Sequence, residues 1–190
     1  MDNRTQEKLH QLFAAIDKLI EKQGRVLIAI DGPCTAGKTT LSGILQQRYP
    51  CIVLHMDDFF LRPEQRTQAR LSQPGGNVDY ERFYEEVLQP LTAGDTFSYR
   101  PYSCAQQALT QPVCISPTQL TVIEGTYSTH PYFKNPYDLT VFLSVDPQTQ
   151  KQRIRTRPQW KQEMFHKVWI PMEQQYFSAF EIESQCDLVI

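Results

Sequence analysis

Residues 32–39 read Gly-Pro-Cys-Thr-Ala-Gly-Lys-Thr and fit the spacing GxxxxGK[ST]. No other stretch restricts the fold of this chain so tightly. The pattern carries chemistry only between a buried strand and a helix, and it falls there. Residues 25–30 run Arg-Val-Leu-Ile-Ala-Ile, an apolar run bounded by turn residues that predicts a strand buried on both faces. Residues 39–47 read as a helix. A loop so placed turns its backbone N–H groups inward, and the helix N-terminus adds a positive dipole end. Gly32 and Gly37 supply conformations that a Cβ would block. The chain has only eight glycines, so two at these positions carry weight. Pro33, Cys34, Thr35, Ala36 and Thr40 complete the predicted phosphate cradle. Lys38 is placed to reach β- and γ-phosphates, and the Thr39 hydroxyl to hold Mg²⁺.

The rest of the chain builds a sheet around that loop. Leu9, Leu12, Phe13, Ile16, Leu19 and Ile20 recur at helical spacing and predict a helix over 5–23, ended by Gly24. Residues 51–56, 120–123, 139–145 and 187–190 read as further strands. Asn77 or Asp79 caps a helix running to about residue 91, with Phe83, Val87, Leu88 and Leu91 inward. Residues 95–118 are rich in Pro, Ser, Thr, Tyr and Gln and predict an inserted β-hairpin flap. Helices are expected at 148–157 and about 163–180, with 148–165 as a helical lid. Buried strands alternating with helices imply α/β architecture. The expectation is a P-loop NTPase three-layer sandwich over a mostly parallel five-stranded sheet. At 190 residues this is a single domain spanning 1–190.

Composition narrows the partners. A net charge of −2 leaves no electrostatic footprint for nucleic acid or an anionic membrane. No apolar run approaches the ~18 residues of a membrane span, and the first residues lack a secretory layout. Five cysteines, never spaced CxxC, argue against a disulfide framework or a zinc site and for a reducing cytosol. Cys34 lies inside the loop near a helix N-terminus, a setting that lowers a thiol pKa. A passive small residue is the simpler reading.

A phosphate loop specifies nucleotide phosphates, not a reaction. Ligands of such sheets sit at the carboxyl ends of strands, and three predicted strands end in acids. Asp31 either shapes the loop or joins the chemistry. Asp57 and Asp58 form an adjacent pair; one can accept a proton from a substrate hydroxyl, and the alternative is a turn or helix cap. Glu124 ends the third strand, where it can hold Mg²⁺ directly or through water, or serve as an ion-pair partner. Arg153 and Arg157 share a helix face, suited to neutralising a transferring phosphoryl group or to facing solvent. Arg62 and Arg66 follow the acid pair in a surface or substrate role. No NKxD or DxxG motif follows the loop, which disfavours a GTPase.

These motifs resemble the uridine kinase branch of P-loop kinases, with phosphoribulokinase and bacterial pantothenate kinase, over nearly the whole chain from Arg25. DGPCTAGKTT resembles GGSxSGKTT, HMDDFF the DSFY block, GGNVDYERF the N-[FY]-D-x-P-x-A-F block, IEGTY the FEGIL block and QRIRTR the RRIRRD lid. WIPMEQQYF and CDLVI resemble the segment after the lid and the final strand. The resemblance implies that Asp57 acts as base on the acceptor hydroxyl and that Asp79 binds sugar hydroxyls. It further implies that Glu124 assists Mg²⁺ and that Arg153 and, beside it, Arg157 belong to the lid. Tyr99 keeps an aromatic contact at the acceptor in that resemblance, and Arg62 joins the acceptor site in the substrate reading of its place after the acid pair. The flap block SYRPYSC has no His where the family reads a pyrimidine base; Ser103 and Cys104 stand nearest. The proline of the sugar-binding block is also missing. The implied activity is phosphoryl transfer from ATP, with Mg²⁺, to a small-molecule hydroxyl acceptor, foremost the 5′-OH of uridine or cytidine. Another acceptor (a sugar, a pantothenate-like alcohol, a modified nucleoside) and a non-catalytic nucleotide-binding regulator stay open. A cytoplasmic protein able to form homo-oligomers is implied as well.

Overall fold

Residues 3–190 are described by a computed structural model. The apolar runs form a five-stranded sheet of β1 (Val26–Asp31), β2 (Cys51–His55), β7 (Leu120–Glu124), β8 (Leu139–Phe142) and β9 (Leu188–Val189). Their order is β2-β7-β1-β8-β9, and every pairing is parallel. The first strand therefore sits at the centre, and the loop that follows it opens at the middle of the carboxyl edge.

Alternation along the strands divides two cores. Val26, Ile28, Ile30, Leu120 and Val122 face α1 (Asn3–Gln23) and α2 (Lys38–Arg48), where Leu12, Ile16, Leu41 and Leu45 meet them. Leu54, Ile123 and Phe142 face the other side, packing with Phe83, Val87 and Leu88 of α3 (residues 80–93) and Tyr176 of α5 (residues 159–180). Helices on both faces of one sheet make the expected three-layer sandwich. The apolar face predicted for the first helix lies against the core in full.

Both long helices on the second face widen for one turn of π-type winding, at Tyr84–Leu88 and at Phe165–Trp169. Each widening ends two residues before a proline, Pro90 or Pro171. A proline ring has no N–H and crowds the carbonyl four residues back, so the helix relaxes there instead of breaking. Asp79 is the cap of α3, its side chain accepting from the backbone of Arg82. α5 begins at 159 rather than 163, because Pro158 sets the extended entry (φ −52°, ψ 145°) and leaves the next residues free to wind. α4 (Pro147–Arg155) is capped by Asp146. β8 stops at Phe142, short of the expected 145; Leu143 instead donates to Asp31 and Ser144 to Ile190 across the adjoining loop.

The flap is one interrupted hairpin. β3 (Phe97–Tyr99) pairs antiparallel with β6 (Val113–Ile115), and β4 (Tyr102–Ser103) with β5 (Ala108–Leu109). Arg100 and Pro101 separate the two ladders. β4 packs on the 3₁₀ turn Met56–Phe59, which follows β2. No helix is long and apolar enough to cross a membrane among the described residues.

Candidate active site

Strand register assembles the site. Glu124, the last residue of β7, lies level with Ile30 of β1 on one side and His55 of β2 on the other. The phosphate loop leaves β1 beside it. Gly32 takes φ +137°, and a Cβ there would drive into the carbonyl oxygen of Leu143. The loop can pass that carbonyl only with glycine.

Asp31 is wholly buried and accepts five hydrogen bonds. The donors are the backbones of Gly32 (2.7 Å), Tyr127 (3.2 Å) and Thr129 (3.0 Å), with the hydroxyls of Thr129 (2.7 Å) and Tyr176 (2.9 Å). One carboxylate thus ties together the phosphate loop, the segment after β7 and α5. Burial raises its pKa while Thr129, Gly32 and Lys38 oppose the rise. Five hydrogen bonds to the surrounding segments suit the loop-shaping reading of Asp31.

Lys38 is buried at the start of α2. Its Nζ reaches the carbonyls of Gly32 (2.7 Å) and Pro33 (2.9 Å) and the hydroxyl of Thr126 (3.3 Å). The Thr39 hydroxyl donates to Glu124 Oε1 at 3.1 Å, so the two residues expected at a metal lie together. His55 Nδ1 stands 2.6 Å from the same oxygen. Nothing in the spacing of the motifs singled out His55; its place at the end of a strand beside the acid pair was the available signal. Hydrogen bonding to Glu124 raises the His55 pKa against the opposing effect of burial. The stabilisation from this pair is therefore complete below His55's unfolded value near ~6.5. It fades as pH rises through the higher folded value. His55→Asn is expected to lower Tm at pH 6, with the gap to wild type closing by pH 9. A gap independent of pH in thermal melts would contradict this.

Asp57 is the second residue of the 3₁₀ turn after β2 and is exposed to solvent. Desolvation by the surrounding protein raises its pKa, Lys38 lowers it, and Glu124 and Asp58 raise it further. Asp58 is turned aside: its carboxylate accepts from Tyr99 Oη at 2.8 Å and its carbonyl from Arg82 at 2.9 Å. Tyr99 is buried and stacks on Phe59 with ring centroids 5.2 Å apart. Asp79 accepts from Gln65 at 2.7 Å and from the Arg82 backbone at 3.2 Å, with Arg82 Nε 3.7 Å away. Arg62 donates to Gln65 and stands 3.5 Å from Glu64.

α4 lies over the phosphate loop. Arg153 donates to the carbonyls of Thr35 (2.7 Å) and Ala36 (3.2 Å), and Gln150, one turn earlier, to that of Cys34 (3.1 Å). Arg157 lies just beyond the end of α4, exposed to solvent. From the far side of the loop, Glu173 of α5 accepts from the Cys34 backbone at 2.9 Å. Burial and Glu173 push the Cys34 thiol up to about 12, the reverse of the lowering expected from a helix N-terminus. That direction fits the passive reading of Cys34 rather than a reactive thiolate. Glu173 is 6% exposed, and its removal leaves the partly buried Cys34 N–H without this acceptor. Glu173→Ala is expected to cost about 1–3 kcal/mol in urea unfolding, whereas Glu173→Gln, which keeps an acceptor oxygen, loses less than half of that. Equal losses would remove the hydrogen bond as the cause.

No group of three His, Cys, Asp or Glu side chains is arranged to enclose a metal among the described residues. A hydroxyl beside one carboxylate is a different donor set, all oxygen and incomplete without a ligand's own oxygens. It suits Mg²⁺, which keeps waters and shares phosphates.

No protein-family model matches the chain, and no curated protein matches it. Solved structures do. A possible uridine kinase from Bacillus stearothermophilus matches with a TM-score of 0.65 and 20% identity, over 95% of this chain and 99% of that one. The YGR205w protein matches with a TM-score of 0.50 and 14% identity, over 87% of this chain and 86% of that one. The likeness is one of fold, the P-loop three-layer sandwich that the motifs implied.

Proposed function

We propose that this chain transfers the γ-phosphoryl group of ATP, with Mg²⁺, to a hydroxyl of a small molecule. The observation that carries the proposal is Asp57: a carboxylate open to solvent at the carboxyl end of β2, within the field of Lys38 and Glu124. A phosphate loop alone fits a switch or a regulator; a reachable base beside it fits transfer to an acceptor.

ATP bound at the loop supplies the phosphoryl group, and Mg²⁺ held by Thr39 and Glu124 supplies neutralising charge. The loop's backbone from Gly32 to Thr40 holds phosphate oxygens. Lys38, bonded only to neutral oxygens, brings a point charge to them. Arg153, seated on the loop's carbonyls, and Arg157 beyond it add positive charge from the lid side. Asp57 orients the acceptor hydroxyl and takes its proton. Positioning and electrostatics supply most of the rate in such transfers, and closure of residues 148–165 excludes water.

The first acceptor reading is the 5′-OH of a pyrimidine ribonucleoside, with Asp79, Tyr99 and Arg62 lining its pocket. A second reading, another hydroxyl compound, is favoured by one observation. Asp79 and the Tyr99 hydroxyl, which a nucleoside needs, are already engaged with Gln65, Arg82 and Asp58. ADP release with Mg·ATP over nucleosides, sugars and pantothenate separates these. Turnover of uridine or cytidine supports the first, and turnover of another compound alone the second. No acceptor-dependent release leaves a nucleotide-binding regulator.

A further inference from the structure

Resting on that phosphotransfer reading, we propose that His55 is a positioning residue for the metal site, its ring holding one oxygen of Glu124 and leaving the other for the cation. The placement begins in the sheet. β2 is an edge strand, paired on one side only, with β7. His55 and Glu124 are the last registered pair of that parallel ladder. Side chains level with one another in a ladder stand on the same face, so the register itself brings the imidazole to the carboxylate. His55 lies two residues before Asp57. The contact therefore fastens the open end of the ladder, from which the turn carrying the base departs.

The contact discriminates between the two carboxylate oxygens. Oε1 takes both His55 Nδ1, at 2.6 Å, and the Thr39 hydroxyl, at 3.1 Å. Oε2 has no hydrogen-bond partner among the described residues, although Glu124 is only 5% exposed. An ionised oxygen so nearly buried is costly until a cation or an ordered water completes it. Thr39 does not compete with the cation in this arrangement. A hydroxyl that donates its one proton to Oε1 keeps two lone pairs to offer a metal. Nor is His55 itself placed as a ligand. Its Nδ1 is committed to Glu124, and no three His, Cys, Asp or Glu side chains enclose a cation among the described residues. A glutamate held by Thr39 alone would keep much of its rotamer freedom and lose it on binding metal. With two donors on one oxygen, that ordering is complete before the cation arrives. Partners of this kind, which orient a ligand without touching the metal, are worth roughly ten- to a hundredfold in metal affinity.

The test reads metal coupling without turnover. A fluorescent, non-hydrolysable ATP analogue is titrated in EDTA and in excess Mg²⁺, and the ratio of the two Kd values is the factor by which metal tightens binding. His55→Ala should reduce that factor by roughly tenfold or more and leave the Kd in EDTA unchanged. His55→Asn, whose amide N–H can take the place of Nδ1, should stay within about threefold of wild type. Glu124→Gln should lose at least as much as His55→Ala. The double variant should lose no more than Glu124→Gln alone, because a residue that acts through Glu124 has nothing left to act on. A purely structural role would not give this pattern. The proposal is overturned by a wild-type factor in His55→Ala, by an equal weakening of its binding in EDTA, by asparagine as poor as alanine, or by additive losses in the double variant. Wild type indifferent to Mg²⁺, or Glu124→Gln equal to wild type, is instead a failure of the underlying phosphotransfer reading, and the proposal falls with it.

Discussion

Asp57→Asn is expected to lower acceptor-dependent kcat by roughly 10²–10⁴-fold, the usual worth of a positioned general base, with ATP affinity nearly unchanged. The substitution removes one charge and keeps the shape. Asp57 makes no hydrogen bond that holds the phosphate loop; Asp31, Lys38 and Glu173 do that. The loss should therefore fall on kcat rather than on nucleotide binding, which a fluorescent ATP analogue can check directly. The acid limb of the pH profile offers a second signature. A base must be ionised, and desolvation by the surrounding protein raises this carboxyl above the 3.8 of a free Asp. Activity should fall as pH drops through that raised value, and this limb should vanish in the variant's residual activity. A variant within tenfold of wild type, or an unchanged acid limb, would remove Asp57 from the role. The neighbouring Asp58 is a useful control, since its carboxylate is committed to Tyr99. Asp58→Asn should disturb the flap's seat and keep the acid limb, moved to lower pH because Asp58 no longer raises the Asp57 pKa.

Local spacing explains what was legible in the sequence. The phosphate loop is eight consecutive residues, and its flanking strand and helix show their own periods. Asp31, Asp57 and Glu124 stood out because each closes an apolar run, and strand ends are where such sheets bind ligands. Parallel pairing brings those ends to one edge regardless of the sequence between them. The residues that finish the site carry no such mark. His55 meets Glu124 across 69 positions, Gln150 meets Cys34 across 116, and Glu173 meets Cys34 across 139. Each is an ordinary polar residue in an ordinary element until packing delivers it. Asp79 shows a related limit: its position before a helix made it, with Asn77, a candidate cap, and the resemblance implied sugar binding. The cap geometry turns one of its oxygens toward the Arg82 backbone, and Gln65 takes the other. The wide turns in α3 and α5 were hidden for another reason. The apolar spacing carried both helices through Pro90 and Pro171, and it holds no mark of the turn at which each helix relaxes ahead of its proline.

The largest loss of stability is expected at Asp31. Asp31→Ala should destabilise the chain by about 3–5 kcal/mol in urea unfolding, the range for breaking a buried ionic network. That is a large fraction of the ~10–28 kcal/mol that ~0.05–0.15 kcal/mol per residue allows a chain of this size. Three of its five donors are backbone N–H groups, of Gly32, Tyr127 and Thr129, that have no other acceptor among the described residues. Alanine would leave them orphaned in a dry interior, and each buried orphan costs ~1–3 kcal/mol. Relief from burying a carboxylate offsets part of this, because burial raises the Asp31 pKa. Asp31→Asn isolates that part. The amide removes the charge and keeps one acceptor oxygen, but turns an NH₂ toward donors. Its loss should fall between wild type and alanine, at about 2 kcal/mol. The two variants should also weaken ATP binding in the same order, because Gly32 and the segment after β7 are held through this carboxylate. A loss below 1 kcal/mol for alanine would mean that water or a relaxed loop replaces the carboxylate. The phosphate loop would then be shaped by its glycines and by Glu173 rather than by the strand end that precedes it.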